Sequence, residues 1–293
     1  MSAATRVTYR SISDAALRGL QANLANTQQL QEQLSSGRRV SQPSDDPSAT
    51  GASMQLRSQR RADEQYLRNI EDATGRLNVT DGALTQISDR IQRAQALLTQ
   101  SRDGALDSNG QAAIAAELTS IRDEVIGQYN TRWLDRPIFG GTVQGSNAID
   151  PNTGTYLGND APILARITRD STLRVDTQGI SAGADTLPGV LAQAATDVAS
   201  NPSAVASDLD ALGTELSKVL TSLGDVGARA ARLDTTKTNV DSERLDFTSR
   251  ISENEDVDLP QTIMNFQSQQ VAYQSALGAA SKVLQTSLMD FLK

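Results

Sequence analysis

Side chains able to do chemistry crowd the stretch SSGRRVSQPSDDPSATG, Ser35–Gly51, which sets Arg38 and Arg39 close to Asp45 and Asp46. Two carboxylates can act as an acid–base pair when they flank a substrate, and arginines can hold phosphate. Asp45 and Asp46 adjoin in the chain, however, which does not set them across a substrate, and the glycine spacing of a phosphate loop is absent. A second acidic group, Glu253, Glu255, Asp256 and Asp258, suggests a calcium loop but lacks its central glycine and closing bidentate glutamate, so it reads as a solvated linker. Asp150, Asp160 and Asp170 leave a carboxylate enzyme as a distant alternative. The chain has no cysteine and no histidine, which excludes thiol nucleophiles, disulfides, histidine-ligated zinc and histidine bases. No catalytic residue, cofactor or metal is expected, and the chain reads as a non-enzyme.

These residues need elements to hold them, and proline marks where the elements break. Residues 1–42, 48–136, 203–259 and 261–293 are proline-free and read as mostly helical. Residues 137–202 hold five prolines, and short alternating runs such as Ile163, Ala165, Ile167 there read as strands. Seven-residue repeats run through the helical parts. Ile70, Leu77, Leu84, Ile91 and Leu98 form one, seconded by Leu67, Thr74 and Ile87. Another runs from Val205 through Leu212, Val219, Val226, Leu233 and Val240 to Phe247 and Ile251, with Leu209, Leu216, Leu223, Ala230, Lys237 and Arg244 between. A repeat sustained this far implies long helices supercoiled against a partner. The ends carry stripes too: Leu17, Leu20, Leu24, Thr27 and Leu34, then Ile263, Phe266, Gln270, Tyr273, Leu277, Ala280, Leu284 and Phe291, with Leu288 beside them.

Neither end stripe can be buried by its own helix, so each must pair with the other or with neighbouring molecules. The expected fold is mainly α: a fold-back rod of long coiled-coil-like helices formed by both chain halves, with a small β-rich inserted outer domain. Its expected parts are 1–42 plus 255–293, a terminal helical assembly domain; 43–136 plus 203–254, a helical rod domain; and the insert, 137–202. Aromatic residues make up only 3%, which suits thin helical packing better than a thick core. A net charge of −8 argues against nucleic acid or acidic lipid as the main partner. No run reaches membrane-spanning length, and MSAATRVTYRSISDAALRGL lacks the apolar core of a secretory signal.

The opening stretch then reads as a joint. Gly37 suits the left-handed position after a helix, Asp46 an N-cap, and Pro47 the first helical residue. Asn201–Pro202 repeats the device, and Asp258 with Gln261 forms a capping-box variant. Arg38, Arg39 and the second aspartate exceed what a turn needs, so the corner is a candidate contact with a neighbouring subunit. Arg57, Arg60, Arg61 and Arg68, interleaved with Glu64 and Glu71, read as a salt-bridged face or an intersubunit contact. Trp133 reads as packing the junction with the insert.

Residues 24–47, LANTQQLQEQLSSGRRVSQPSDDP, followed by EQYLRNIEDATGRLNVTDGAL and closed by RISENEDVDLPQTIMNFQSQQVAYQSALGAASKVLQTSLMDFL, resemble the two ends of the flagellin superfamily. Ser44–Pro47 resemble the branch that joins hook to filament. The resemblance covers roughly 5–135 and 205–293. It implies a structural subunit of the bacterial flagellum that packs with copies of itself into a helical ring or tube. It further implies hook-associated protein 1, flagellin and a flagellar export chaperone as partners, and extracellular placement by type III export without a cleaved signal. The implied assembly residues are Leu17, Leu20, Leu24, Leu34, Arg38, Arg39, Asp45, Asp46, Pro47, Phe266, Tyr273, Leu277, Leu284, Leu288 and Phe291. A minor flagellin is the alternative within the superfamily, and a cytoplasmic coiled-coil scaffold the alternative outside it.

Overall fold

The computed structural model describes residues 2–103, 107–143, 145, 147–177 and 186–291, with backbone alone for 2–10, 12–13 and 282–291. The protein is mainly α. Helices α1 (Ser2–Ser36), α2 (Pro47–Asp103) and α3 (Ser108–Tyr129) precede two short ribbons, β1–β2 (Arg132–Trp133, Arg136–Pro137) and β3–β4 (Leu164–Arg166, Thr172–Arg174). Helices α4 (Leu187–Ser200), α5 (Val205–Glu255) and α6 (Leu259–Phe291) follow. Both ribbons are antiparallel, pairing Trp133 with Arg136 and Ala165 with Leu173. The described chain divides into two compact units, 1–61 with 244–293, and 62–243.

In unit 62–243 the repeat on α2 becomes the core. Ile70, Leu77, Leu84, Ile87, Ile91 and Leu98 are fully buried, each contributing about 1.5–3 kcal/mol relative to exposure. On α5, Val205, Leu212, Val219, Val226, Leu233 and Val240 face the same cluster, with Leu209, Leu216, Leu223 and Ala230 half-covered beside them. The other flank of that seam is polar yet buried: Asp208, Glu215 and Ser222, seven residues apart. Burial pushes the Asp208 carboxyl up, and the nearby Asp197 carboxylate adds to it. Asp63 on α2 is likewise pushed up by burial and then by Glu243.

The long helical stretch expected through 136 is broken. Asp107, in extended conformation, accepts from Gly110 N–H and caps α3 as a separate helix. The expected cap at Asn201 also shifts: Asn201 ends α4, its carbonyl accepts from Ala204 N–H in a short turn, and α5 begins at Val205. Within 137–202 the strand content is confined to short pieces, and 187–200 is helix α4, led by Pro188 at its first turn. Nor does this segment stand apart. Ile138, Phe139, Ile149, Ile167, Leu173, Val175, Leu187 and Leu191 belong to the same apolar cluster as the long helices.

Polar clamps fix the legs of the segment. The buried Arg76 donates to the Ile138 carbonyl at 3.0 Å, and Arg229 donates to the Asp176 carbonyl at 2.7 Å. Asp176, almost wholly buried, accepts from Ile163 N–H and from Arg174 at 2.7 Å each. Trp133 donates its indole N–H to Asp72 and lays its ring over Gly75, where a Cβ would stand 2.7 Å from two ring carbons. It packs the junction as the sequence implied.

Candidate assembly joint and terminal helix faces

The joint is built in unit 1–61 with 244–293 by two chain segments that cross. Gly37 takes φ +71° and returns its N–H to Gln33 O, ending α1. The next residues run against the end of α5: Arg39 N–H donates to Glu255 O at 2.7 Å, and Val257 N–H donates to Gly37 O at 3.0 Å. This small bridge pairs Arg38 with Asp256. Side chains reinforce it. Arg39 reaches the Asn254 carbonyl at 2.8 Å and the Asp46 carboxylate at 3.3 Å, while Arg57 pairs with the largely buried Glu255.

The two aspartates have separate tasks. Asp46 caps α2, accepting from Ala49 N–H at 2.9 Å; that bond, and then Arg39, hold its carboxyl below the usual range. Asp45 faces the other way, its Oδ2 accepting from Gln42 N–H at 2.8 Å and from Ser41 N–H and Oγ. Those backbone donors hold it low as well, the Gln42 bond most. The second aspartate therefore shapes the loop itself. Arg38 is exposed, and its guanidinium makes no hydrogen bond or ion pair among the described residues.

The acidic run read as a linker is half helix: α5 continues through Glu255, so only 256–258 connect it to α6. Asp258 caps α6 through Gln261 N–H at 3.1 Å, as its spacing implied. Among the described residues no group of three Asp or Glu could hold a metal ion.

Helices α1 and α6 pack together. The covered face of α1 holds Ala16, Leu20, Asn23, Thr27, Leu30 and Leu34; that of α6 holds Thr262, Phe266, Gln269, Tyr273, Ala276 and Ala280. Both step by four and three, a heptad seam. On α6 the second seam position is Gln269 and Ala276, one residue before the expected Gln270 and Leu277. Gln269 donates to the Asn23 side chain at 3.0 Å, a polar pair that pins the register. On α1 likewise Ala16 and Asn23 are covered in place of Leu17 and Leu24, so part of each stripe turns outward: Leu17 is 51% exposed, Leu24 43%, Ile263 45% and Leu277 46%, with Val271, outside the expected stripe, at 63%. Leu284, Leu288 and Phe291 lie outside the residues whose side chains are described. Arg39, Asp45, Asp46 and Pro47 come together at the joint; Leu20, Leu34, Phe266 and Tyr273 meet in the seam. Glu255, Asn254 and Arg57 complete the joint without having been expected there. The signal was present, since Glu255 sits four residues after the seam residue Ile251, on nearly the same helix face.

Long paired helices tied by such a joint make this a mainly α-helical protein, and residues 7–135 match the family model of the bacterial flagellin N-terminal helical region. The N-terminal half of the chain thus resembles the flagellin superfamily, as its sequence implied. The chain is 24% identical over 305 residues to flagellar hook-associated protein 3 of Escherichia coli, covering 94% of this chain and 96% of that protein. It is 27% identical to the protein of that name from Salmonella typhimurium, over 59% of this chain and just over half (55%) of the relative. Its fold resembles a flagellar hook-associated protein structure from Vibrio parahaemolyticus, with TM-score 0.66, 18% identity and coverage of 72% of this chain and 100% of the other.

Proposed function

We infer that this chain is a structural subunit of the bacterial flagellum that joins the hook to the flagellin filament. The observation that carries the reading is the near full-length similarity to flagellar hook-associated protein 3. The geometry supplies a mechanism. Each terminal helix spends one face on the other and keeps a second apolar row, Leu17 and Leu24 with Ile263, Val271 and Leu277, for neighbouring copies in a ring or tube. Burying each such side chain in a neighbour would favour assembly by about 1.5–3 kcal/mol. The joint ties the pair to the start of α2 and the end of α5, and the unpaired Arg38 beside it would meet a carboxylate of an adjacent subunit. On this reading hook-associated protein 1 lies on the hook side and flagellin on the other. The chain is exported through the type III channel with its C-terminal helix held by a chaperone, and it has no catalytic activity. Electron microscopy of a gene-deleted cell tests it: hooks should remain while filaments detach and flagellin accumulates in the medium. Filaments still seated on their hooks would refute the junction role.

A further inference from the structure

The β1–β2 hairpin turns in two residues, Leu134 and Asp135, at φ +48° and +62°. Two-residue hairpin turns with both central residues at positive φ call for Asn-Gly or Asp-Gly, because a Cβ crowds the backbone in that region. A leucine at the first position is an outlier, and strain of this kind persists where the surroundings over-determine it. They do so here. Ile138 N–H donates to Thr131 O at 3.0 Å, Arg132 donates to the Asp135 carbonyl, Arg76 holds the Ile138 carbonyl, and Trp133 is seated over Gly75 and bonded to Asp72. The strained leucine gives nothing back to the fold, for its side chain is 73% exposed, more than any other large apolar residue described. The hairpin therefore holds an apolar knob out from a rigid base, with exposed Arg132 and Arg136 on either side and the exposed Asp135 next to it.

We propose that Leu134 is a docking knob for a second copy of this chain in the assembled flagellum. The charge around it fits that partner: two arginines against one aspartate leave the collar net basic, and a copy of this chain carries a net charge of −8. The inference rests on the assembly reading above and adds to it a contact outside the terminal helices.

Three measurements test it. In the purified full chain, Leu134→Asn relieves the backbone strain, so its melting temperature should rise by roughly 2–4 °C. In cells the same variant should be secreted normally yet attach fewer filaments, the contact being weakened about tenfold or more. A lower melting temperature would mean that Leu134 serves internal packing, and unchanged attachment would mean that the knob docks nowhere; either overturns the proposal. Identity of the partner comes from Leu134→Cys, the only thiol in an otherwise cysteine-free chain. Labelled with a photoactivatable benzophenone and irradiated in isolated hook–filament complexes, it should give an adduct of two copies of this chain. If the protein is present in the complexes but cross-links to another protein or to none, the knob proposal fails while the junction reading stands. Absence of the protein from the complexes sinks both.

Discussion

One substitution made at two glycines should raise stability at one and fail to raise it at the other. Gly75 and Gly224 both lie inside long helices, where alanine is favoured by about 0.8–1 kcal/mol over glycine. At Gly224 an added Cβ meets nothing within 4 Å, so Gly224→Ala should collect that gain and raise the melting temperature by roughly 2–4 °C. At Gly75 the Cβ would stand 2.7 Å from Trp133 Cη2 and Cζ2, closer than carbon atoms pack. The indole must move, which strains its bond to Asp72 and the hairpin behind it. Overpacking of this kind costs about 1–3 kcal/mol, which cancels or outweighs the propensity gain. Gly75→Ala should therefore melt below Gly224→Ala by the whole overpacking cost, at or under wild type. Trp133 is the single tryptophan, so its fluorescence reports the displacement directly. The emission should shift in Gly75→Ala and stay put in Gly224→Ala. Equal melting temperatures with unchanged emission would show that the indole does not rest on α2, and the account of the hairpin's rigidity would fall with it.

Deleting Gln261–Lys293 should leave unit 62–243 melting cooperatively at almost the full-length temperature while abolishing filament attachment; a collapse of that unit's melting would show that the termini are part of its core. Acid should act on the two units with opposite sign. Asp45 and Asp46 are held below the ordinary 3.8, so their contribution to the joint is present above that value and is lost as pH falls through their depressed values. Asp208 and Asp63 are raised, so their ionised forms cost stability at neutral pH, and that cost lifts as pH falls through their elevated values toward 3.8. Amide exchange against pH should show α5 around Asp208 tightening before the joint loosens, and Asp208→Asn should raise neutral-pH stability while removing the first effect. Protection at the joint that is unchanged well below 3.8 would contradict the assignment.

What could be read from the sequence was whatever repeats. Ile70 to Leu98 and Val205 to Val240 mark their own core because a seven-residue period over many turns has one physical meaning. Gly37, Asp46 and Asp258 were equally legible, since each satisfies helix-end groups within a few residues. What escaped depends on tertiary neighbours. Asp208, Glu215 and Ser222 look like a solvated flank until the rest of the unit covers them. Glu255 looks like linker until Arg57, far away in the chain, reaches it. The Leu134–Asp135 turn breaks the residue rule by which such turns are found, because the hairpin's attachments impose a conformation its own residues resist. Helix α4 was hidden by the glycines and prolines around it, which mark breaks without saying what lies between them.

The joint also dictates an order of events in time. Arg39 finds its Asn254 acceptor across 215 residues, and Asn23 finds Gln269 across 246. Closing loops of this length costs roughly 5 kcal/mol of chain entropy before the first contact forms. No local partner can stand in, since the residues that receive α1 come from the far end of the chain. Helix α1, made before α6, is thus among the last to be packed. Until residue 257 and the helix beyond it are available, α1 must wait with its apolar row uncovered.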